Sequence, residues 1–303
     1  IFYKLILVFH TCVVVANSDF HESFELVLQR YAPKSIKKGI LPIETILKYD
    51  ISNLIKQRNN KTLYALKINS DPEDTSGAKL LESAAKLASA TDNKLVQIMK
   101  CDLNISNCII DTVHANKITD LIVGIHHKAN IVDTFLGGTI TSLINGTSNQ
   151  NLIIYGPKKP INAVKRLIVA VPQMAELEVG FDLWFDRIKN IASQLSIPIV
   201  FYANKVTTEA LKKQCEIHSS LNVSFRELAA WEDFLIISKD MKHSDTLIVV
   251  TARKATVSYN NLFEKIPYYL NKYFTENNFL LIYPQQTASD GTDNDRYNPL
   301  KIS

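Results

Sequence analysis

Few side chains in this 303-residue chain combine the types and spacings that do chemistry. His126 and His127 are adjacent, and each is a ligand type for zinc that also titrates near neutral pH. Neighbouring residues at a strand end point to opposite faces, so the two imidazoles are badly placed to share one ion, and no metal centre is expected. His127 alone suits pH sensing. Lys128 and Lys254 recur after two similar apolar runs, where an ammonium either meets an anion or is simply solvated. Cys215 and His218 stand about one helical turn apart, but no acid partner or glycine turn completes a nucleophile. No paired carboxylates stand out. Four cysteines (Cys12, Cys101, Cys108 and Cys215) without a C-x-x-C pair frame neither a disulfide scaffold nor a zinc site. No catalytic residue is assigned, and the chain is expected not to be an enzyme.

The elements that must position these residues come in two copies. Leu121-Ile-Val-Gly-Ile-His-His-Lys-Ala129 recurs as Leu247-Ile-Val-Val-Thr-Ala-Arg-Lys-Ala255, and Asn151-Leu-Ile-Ile-Tyr155 as Phe279-Leu-Leu-Ile-Tyr283. Lys38-Gly-Ile-Leu matches Lys165-Arg-Leu-Ile. A period of roughly 127 residues is too long for a solenoid and marks a duplicated domain. In copy one, short apolar runs predict strands at Gly39–Ile43, Leu63–Ile68, Leu95–Met99, Asp120–Ile125 and Asn151–Tyr155. Copy two predicts them near Arg166–Val171, Ile197–Tyr202, Val223–Leu228, Thr246–Thr251 and Asn278–Tyr283. Between them lie helical stripes such as Ile105, Cys108, Ile109, Thr112 and Val113, or Leu177, Phe181, Trp184, Ile188, Ile191 and Leu195. Asp120 and Asp245 each precede an apolar run that suits a central strand buried on both faces. Five strands interleaved with helices require right-handed crossovers. The expected class is therefore α/β, two tandem doubly wound parallel five-stranded sheets. In such sheets ligands bind beyond the strand C-termini where the winding switches, after the first and fourth strands of each copy.

Composition agrees with folded domains: 46% hydrophobic and 21% charged residues exclude disorder and a mainly membrane-embedded chain. A net charge of +4 is too mild to argue for nucleic acid. Residues 1–16 (IFYKLILVFHTCVVVA) are largely apolar, and the sharper reading makes them the end of a transmembrane helix that begins upstream. The bland reading is a first strand or helix of a soluble domain. Residues 17–36 read as a linker, and between Asn17 and Lys61 Lys/Arg outnumber Asp/Glu, a positive-inside signal. Two domains follow at 37–158 and 159–284, the second degenerate, and 285–303 read as a disordered tail.

The stretch from Gly124 to Thr139, with the five-strand order, resembles the universal stress protein family and its adenine nucleotide alpha hydrolase-like fold. That family's phosphate loop runs Gly, two residues, Gly, nine residues, Gly, then Ser or Thr. Gly124 fills the first position, His127 stands where the second glycine belongs, and Gly137 fills the third. Gly138 holds the hydroxyl position with Thr139 one residue later, and Glu44 represents the family's acidic residue after the first strand. The resemblance implies ATP or another adenine nucleotide in the first domain, with Lys128 beside its phosphates. Such loops bring backbone N–H groups close to an anion at a helix N-terminus. Copy two has no glycine between Thr246 and Asn278, and Tyr259, Leu262, Phe263, Ile266, Tyr269 and Tyr273 crowd the segment. It reads as a scaffold or dimerisation module that binds no nucleotide.

Ile118-Thr-Asp-Leu-Ile-Val-Gly-Ile-His-His-Lys-Ala-Asn-Ile-Val-Asp133, Val164-Lys-Arg-Leu-Ile-Val-Ala-Val-Pro172 and Gly180-Phe-Asp-Leu-Trp184 narrow the resemblance. They look like the cytoplasmic region of a monovalent cation:proton antiporter of Bacteroidetes type. This second resemblance implies a sodium or potassium:proton exchanger with a membrane transport domain upstream in the same chain, at the cytoplasmic face of the bacterial inner membrane. The fragment would then be a non-catalytic regulatory or sensor region, a homodimer, with no nucleic-acid partner. The alternative is a free-standing tandem universal stress protein that binds ATP or another adenine nucleotide. A third reading, another α/β nucleotide enzyme such as an adenylyl transferase, lacks its His-x-x-His signature here.

Overall fold

Two six-residue runs, KLILVF and CVVVAN, are broken by a polar pair and suit strands better than a membrane helix, because the β-branched Ile and Val side chains fit a pleated surface. The computed structural model describes residues 4–9, 12–17, 62–69, 94–124, 138–159, 163–216 and 222–286, with isolated helical positions between 78 and 85. In it the apolar start forms two antiparallel strands, β1 (Lys4–Phe9) and β2 (Cys12–Asn17), with His10 and Thr11 falling between them. This corrects the reading of residues 1–16 as the end of a transmembrane helix. Among the described residues no helix is long and apolar enough to cross a membrane.

The remaining strands of the first lobe are β3 (Thr62–Asn69), β4 (Lys94–Cys101), β5 (Asp120–Gly124) and β6 (Asn151–Gly156). Their order is β4-β3-β1-β2-β5-β6, with β1 antiparallel to its neighbours β2 and β3, and β2 parallel to β5. β2 thus holds the first-strand place that the sequence assigned to Gly39–Ile43, a segment outside the described residues. The first lobe consequently includes residues well before position 37. Two helices are described here, α1 (Ile105–Ala115) and α2 (Gly138–Gly146). On α1 the predicted stripe is the buried one, Cys108, Ile109, Thr112 and Val113, and the Asn104 side chain caps its start by accepting from the Asn107 N–H.

The second lobe contains β7 (Arg166–Ala170), α3 (Phe181–Leu195), β8 (Ile199–Ala203), α4 (Lys205–Glu216) and β9 (Val223–Glu227). It continues with α5 (Ile236–Asp240), β10 (Asp245–Val250), α6 (Ile266–Tyr273) and β11 (Asn278–Tyr283). Its strands are all parallel in the order β9-β8-β7-β10-β11, so the winding switches between β7 and β10. α3 buries Phe181, Trp184, Phe185, Ile188, Ile191 and Ala192, whereas Leu177 falls in the preceding 3₁₀ turn and is 66% exposed.

The lobes do not form two separate five-stranded sheets. β6 pairs antiparallel with β11, from Leu152 opposite Tyr283 to Gly156 opposite Phe279, and fuses them into one eleven-stranded sheet. Alternate residues of the central strands feed a core on each face: Leu121, Val123, Leu247 and Val249 on one, Ile122, Ile248 and Val250 on the other. The chain expected to trail off from residue 285 is still held at its start. Gln285 is buried and the Gln286 N–H donates to the Ser148 carbonyl at 2.8 Å. The linker and residues 287–303 lie outside the described residues.

Candidate functional site

The antiparallel seam has a geometric consequence. The C-terminal edge of the first lobe's parallel strands is the N-terminal edge of the second lobe's, so the two switch points open on opposite edges of one sheet. At the first, β5 ends on half-buried Gly124, and α2 begins at Gly138 after an intervening segment outside the described residues. Gly138 is exposed, and a methyl group added there would meet nothing within 4 Å. Thr139 is half-buried in the same first turn, where backbone N–H groups have no partner within the helix. The structure therefore places Gly124 at the end of the central strand, and Gly138 and Thr139 at the start of the next helix. Glu44, His127, Lys128 and Gly137 lie outside the described residues.

The second switch point is filled by the chain's own side chains. Past β10, the Thr251 N–H and Oγ1 both donate to the Ile282 carbonyl at 2.8 Å. Buried Glu178 accepts from the Ser258 N–H at 3.0 Å and its Oγ at 2.5 Å, tying the segment after β7 to the segment after β10. Gln173 donates to the Ala229 carbonyl at 2.7 Å, and the Thr207 hydroxyl to Glu176 at 2.8 Å. A Cβ on Gly180 would sit 2.7 Å from the Gln285 nitrogen, so only glycine allows that close approach. Lys254, a candidate anion contact by sequence, instead pairs with Glu264 at 2.8 Å on the surface.

Arg253 completes this closure and reaches across the seam. It is 6% exposed, and among the described residues its guanidinium donates to carbonyls: Nε to Pro284 at 3.3 Å, Nη2 to Thr147 at 2.8 Å and Gln150 at 3.1 Å, and Nη1 to Ile144. Three of the four carbonyls belong to the first lobe, at the C-terminal end of α2, where a cation also meets the negative end of the helix dipole. Burial pulls the guanidinium down to about 10, against a raising influence from Tyr283, so it remains a cation at neutral pH.

A second tie runs the same way. Arg187 on α3 grips Asp120 at the start of β5 with two bonds, Nε to Oδ1 at 2.9 Å and Nη2 to Oδ2 at 2.7 Å. Thr119 Oγ1 and Asn151 Nδ2 also donate to that carboxylate, at 2.8 and 3.2 Å. Burial acts to raise the Asp120 carboxyl, but the Arg187 charge and these hydrogen bonds prevail and hold it below the usual carboxylate range. The duplicate residue Asp245 is served within its own lobe by Arg166 at 2.6 Å, its register neighbour on β7. In the first lobe that register place is held by Cys12, and the guanidinium comes from the other lobe.

The thiols of Cys108 and Cys215 are pushed up by burial, which keeps thiolate scarce at neutral pH, and His218 lies outside the described residues. Among the described residues no group of three or more His, Cys, Asp or Glu is placed to hold a metal ion. Sequence reasoning missed Arg253, Arg187 and Glu178. The repeat aligned Arg253 with His127, and Asp120 lacked the neighbouring arginine that Asp245 has in Arg166, which were the available signals.

No family model matches this chain, and no curated protein matches it. Solved structures do. The cytoplasmic domain of a prokaryotic cation chloride cotransporter aligns at 10% identity with a TM-score of 0.51, over 78% of this chain and 90% of that one. A functionally unknown protein from Pseudomonas aeruginosa PAO1 aligns at 12% identity and a TM-score of 0.48, over 72% of this chain and 81% of that one. A universal stress protein from Archaeoglobus fulgidus DSM 4304 aligns at 11% identity and a TM-score of 0.44, over 69% and 76% of the two chains. The chain has an α/β fold whose second lobe is a doubly wound parallel sheet, and it shares its fold with the cotransporter domain.

Proposed function

We propose that this chain is a non-catalytic regulatory module of a cation transporter, a sodium or potassium:proton antiporter, working at the cytoplasmic face of a bacterial inner membrane. One observation carries the reading: the second switch point is bridged by Glu178 and Arg253, while at the first a methyl group on Gly138 would meet nothing within 4 Å. A bridged lobe fused through a continuous sheet to one with room at its helix start suits a body that responds to a ligand rather than one that turns over a substrate. The likeness to a transporter's cytoplasmic domain, over 90% of that domain, supports the setting. The homodimer and the membrane domain of the same chain are further parts of this proposal. The decisive test is the coding sequence ahead of Ile1. About a dozen apolar spans in the same frame are expected, and a start codon directly preceding Ile1 would end the transporter reading.

The open start of α2 also favours a second reading, a tandem universal-stress-like protein whose first lobe takes ATP or another adenine nucleotide. Isothermal titration with ATP and ADP tests it. Heat on binding that disappears in Gly124→Val supports nucleotide recognition, and no heat with either nucleotide refutes it.

A further inference from the structure

The two switch points face opposite edges of one sheet, and α2 is the element that runs from one to the other. It starts at Gly138, beyond the C-terminal end of β5, and ends at Gly146, beside the start of β6. That start of β6 lies against the end of β11, at the edge where the second lobe's switch point opens. Nine residues of helix cover about 13 Å, the span of a short strand.

Its far end is fixed on three sides. Gly146 rests on Ile110 of α1 with no room for a Cβ, Cγ1 being 3.0 Å from where one would lie. The Thr147 N–H and Oγ1 both return to the Leu143 carbonyl, at 3.0 and 2.6 Å. Arg253 then takes the Ile144, Thr147 and Gln150 carbonyls. From Arg253 the chain continues through a left-handed Ala255 (φ 69°) to Ser258, which Glu178 holds. A tightly packed helix moves as a unit, so displacement at one end is felt at the other.

We propose that α2 and Arg253 form a coupling strut through which the state of the first lobe's switch point is transmitted to the sealed loop 251–258 of the second. This deepens the regulatory reading and rests on it for the ligand, while the strut itself is testable without one. In a sensor of this build the second lobe is the readout and the first the receiver.

Hydrogen–deuterium exchange and backbone amide NMR on the full chain decide it, comparing wild type with Arg253→Met and Arg253→Lys. Without ligand, R253M should speed exchange about tenfold at 144–151 and 251–258, because the Ile144, Thr147 and Gln150 carbonyls lose their donor and the clamp on both segments loosens. It should also shift the backbone amide NMR resonances of 138–142, the opposite end of α2, which a purely local clamp would leave alone. Unchanged resonances at 138–142 overturn the strut. If R253M does not fold, R253K serves the same comparison, because a lysine keeps the charge but loses the guanidinium fork. With ATP, ADP or inorganic phosphate added, wild type should gain protection at both 138–146 and 251–258, and R253M only at the first. Protection at 251–258 that persists in R253M also overturns the proposal. If no probe changes exchange anywhere, the nucleotide reading of the first lobe fails, and the ligand-free comparison still judges the strut.

Discussion

Replacing Arg187 by methionine is the sharpest perturbation of the seam. The side chain is 19% exposed and its partner Asp120 2% exposed, so this is a pair withdrawn from water. Methionine keeps most of the volume but removes two charge-assisted bonds, at 2.9 and 2.7 Å. Breaking one side of a buried pair costs about 3–5 kcal/mol, because the remaining charge is left without its counterion. The Thr119 and Asn151 bonds still reach Asp120, which places the expectation at the lower end, about 3 kcal/mol. Adding Asp120→Asn to R187M should restore much of the loss, since the uncompensated charge goes. A double-mutant cycle should therefore give a coupling of about 2 kcal/mol. The pH dependence has a definite sign. The native Asp120 carboxyl lies below its unfolded value near 3.9, so its contribution is present above about pH 4 and fades as pH falls through the depressed native value. In urea unfolding the gap between wild type and R187M should be full at pH 7 and shrink towards pH 3. A loss below about 0.5 kcal/mol, or a gap that does not change over that range, would refute the account of the seam.

Other perturbations test separate parts of the structure. Gly156→Ala drives a methyl group into the Phe279 ring across the β6–β11 pairing, and should lower stability by about 1–3 kcal/mol in thermal unfolding. Gly138→Ala should be neutral or stabilising by up to about 1 kcal/mol, because the methyl meets open space and the residue is already helical; a marked loss of Tm would contradict the open helix start. Tyr202 and Tyr283 are both pushed up to about 12, chiefly by burial, with Tyr202 also donating to Asp240. Their contribution is complete below the unfolded value near 10 and lost as pH rises towards 12, so tyrosinate absorbance should report two late-titrating phenols and stability should fall over that window. Glu178→Ala leaves the Ser258 donors unpaired and should cost about 1–3 kcal/mol, with faster exchange at 251–258.

Sequence periodicity located nearly all of the parallel strands, the central ones because they are apolar on both faces and bounded by polar residues. Asn278–Tyr283 was legible to the residue, and Asp245–Val250 to within one. The stripe of α1 was legible for the same reason, since burial on one helix face leaves a direct imprint on residue type. Residues 1–16 were misread because an apolar run of that length carries little periodicity to separate strand from helix, and the polar pair His10-Thr11 is no guide to which element flanks it. The seam was invisible. Pairing of β6 with β11 is a long-range contact between two strands whose sequences look alike, and nothing local in either says which neighbour it takes. Arg253 and Arg187 were missed because a buried guanidinium is defined by acceptors far away in the chain, in this case carbonyls and a carboxylate of the other lobe.

The two lobes solve one inherited problem differently, and the difference ties them together. Asp120 and Asp245 occupy equivalent places at the start of equivalent central strands, each too buried to stand without a cation. In the second lobe Arg166 supplies it from the adjacent strand. In the first lobe the adjacent strand belongs to the N-terminal pair, and Arg187 supplies it from across the seam. Arg253 repeats the pattern, giving its donors to carbonyls that end a first-lobe helix. Both guanidinium ties therefore pass from the second lobe to the first. The Asp245 pair lies wholly within the second lobe, whereas the Asp120 pair spans the seam, so undocking would part Asp120 from Arg187 and Arg253 from its first-lobe carbonyls together. The dependence is reciprocal, which is what allows a change in the first lobe to be felt at Arg253 and the loop that follows it.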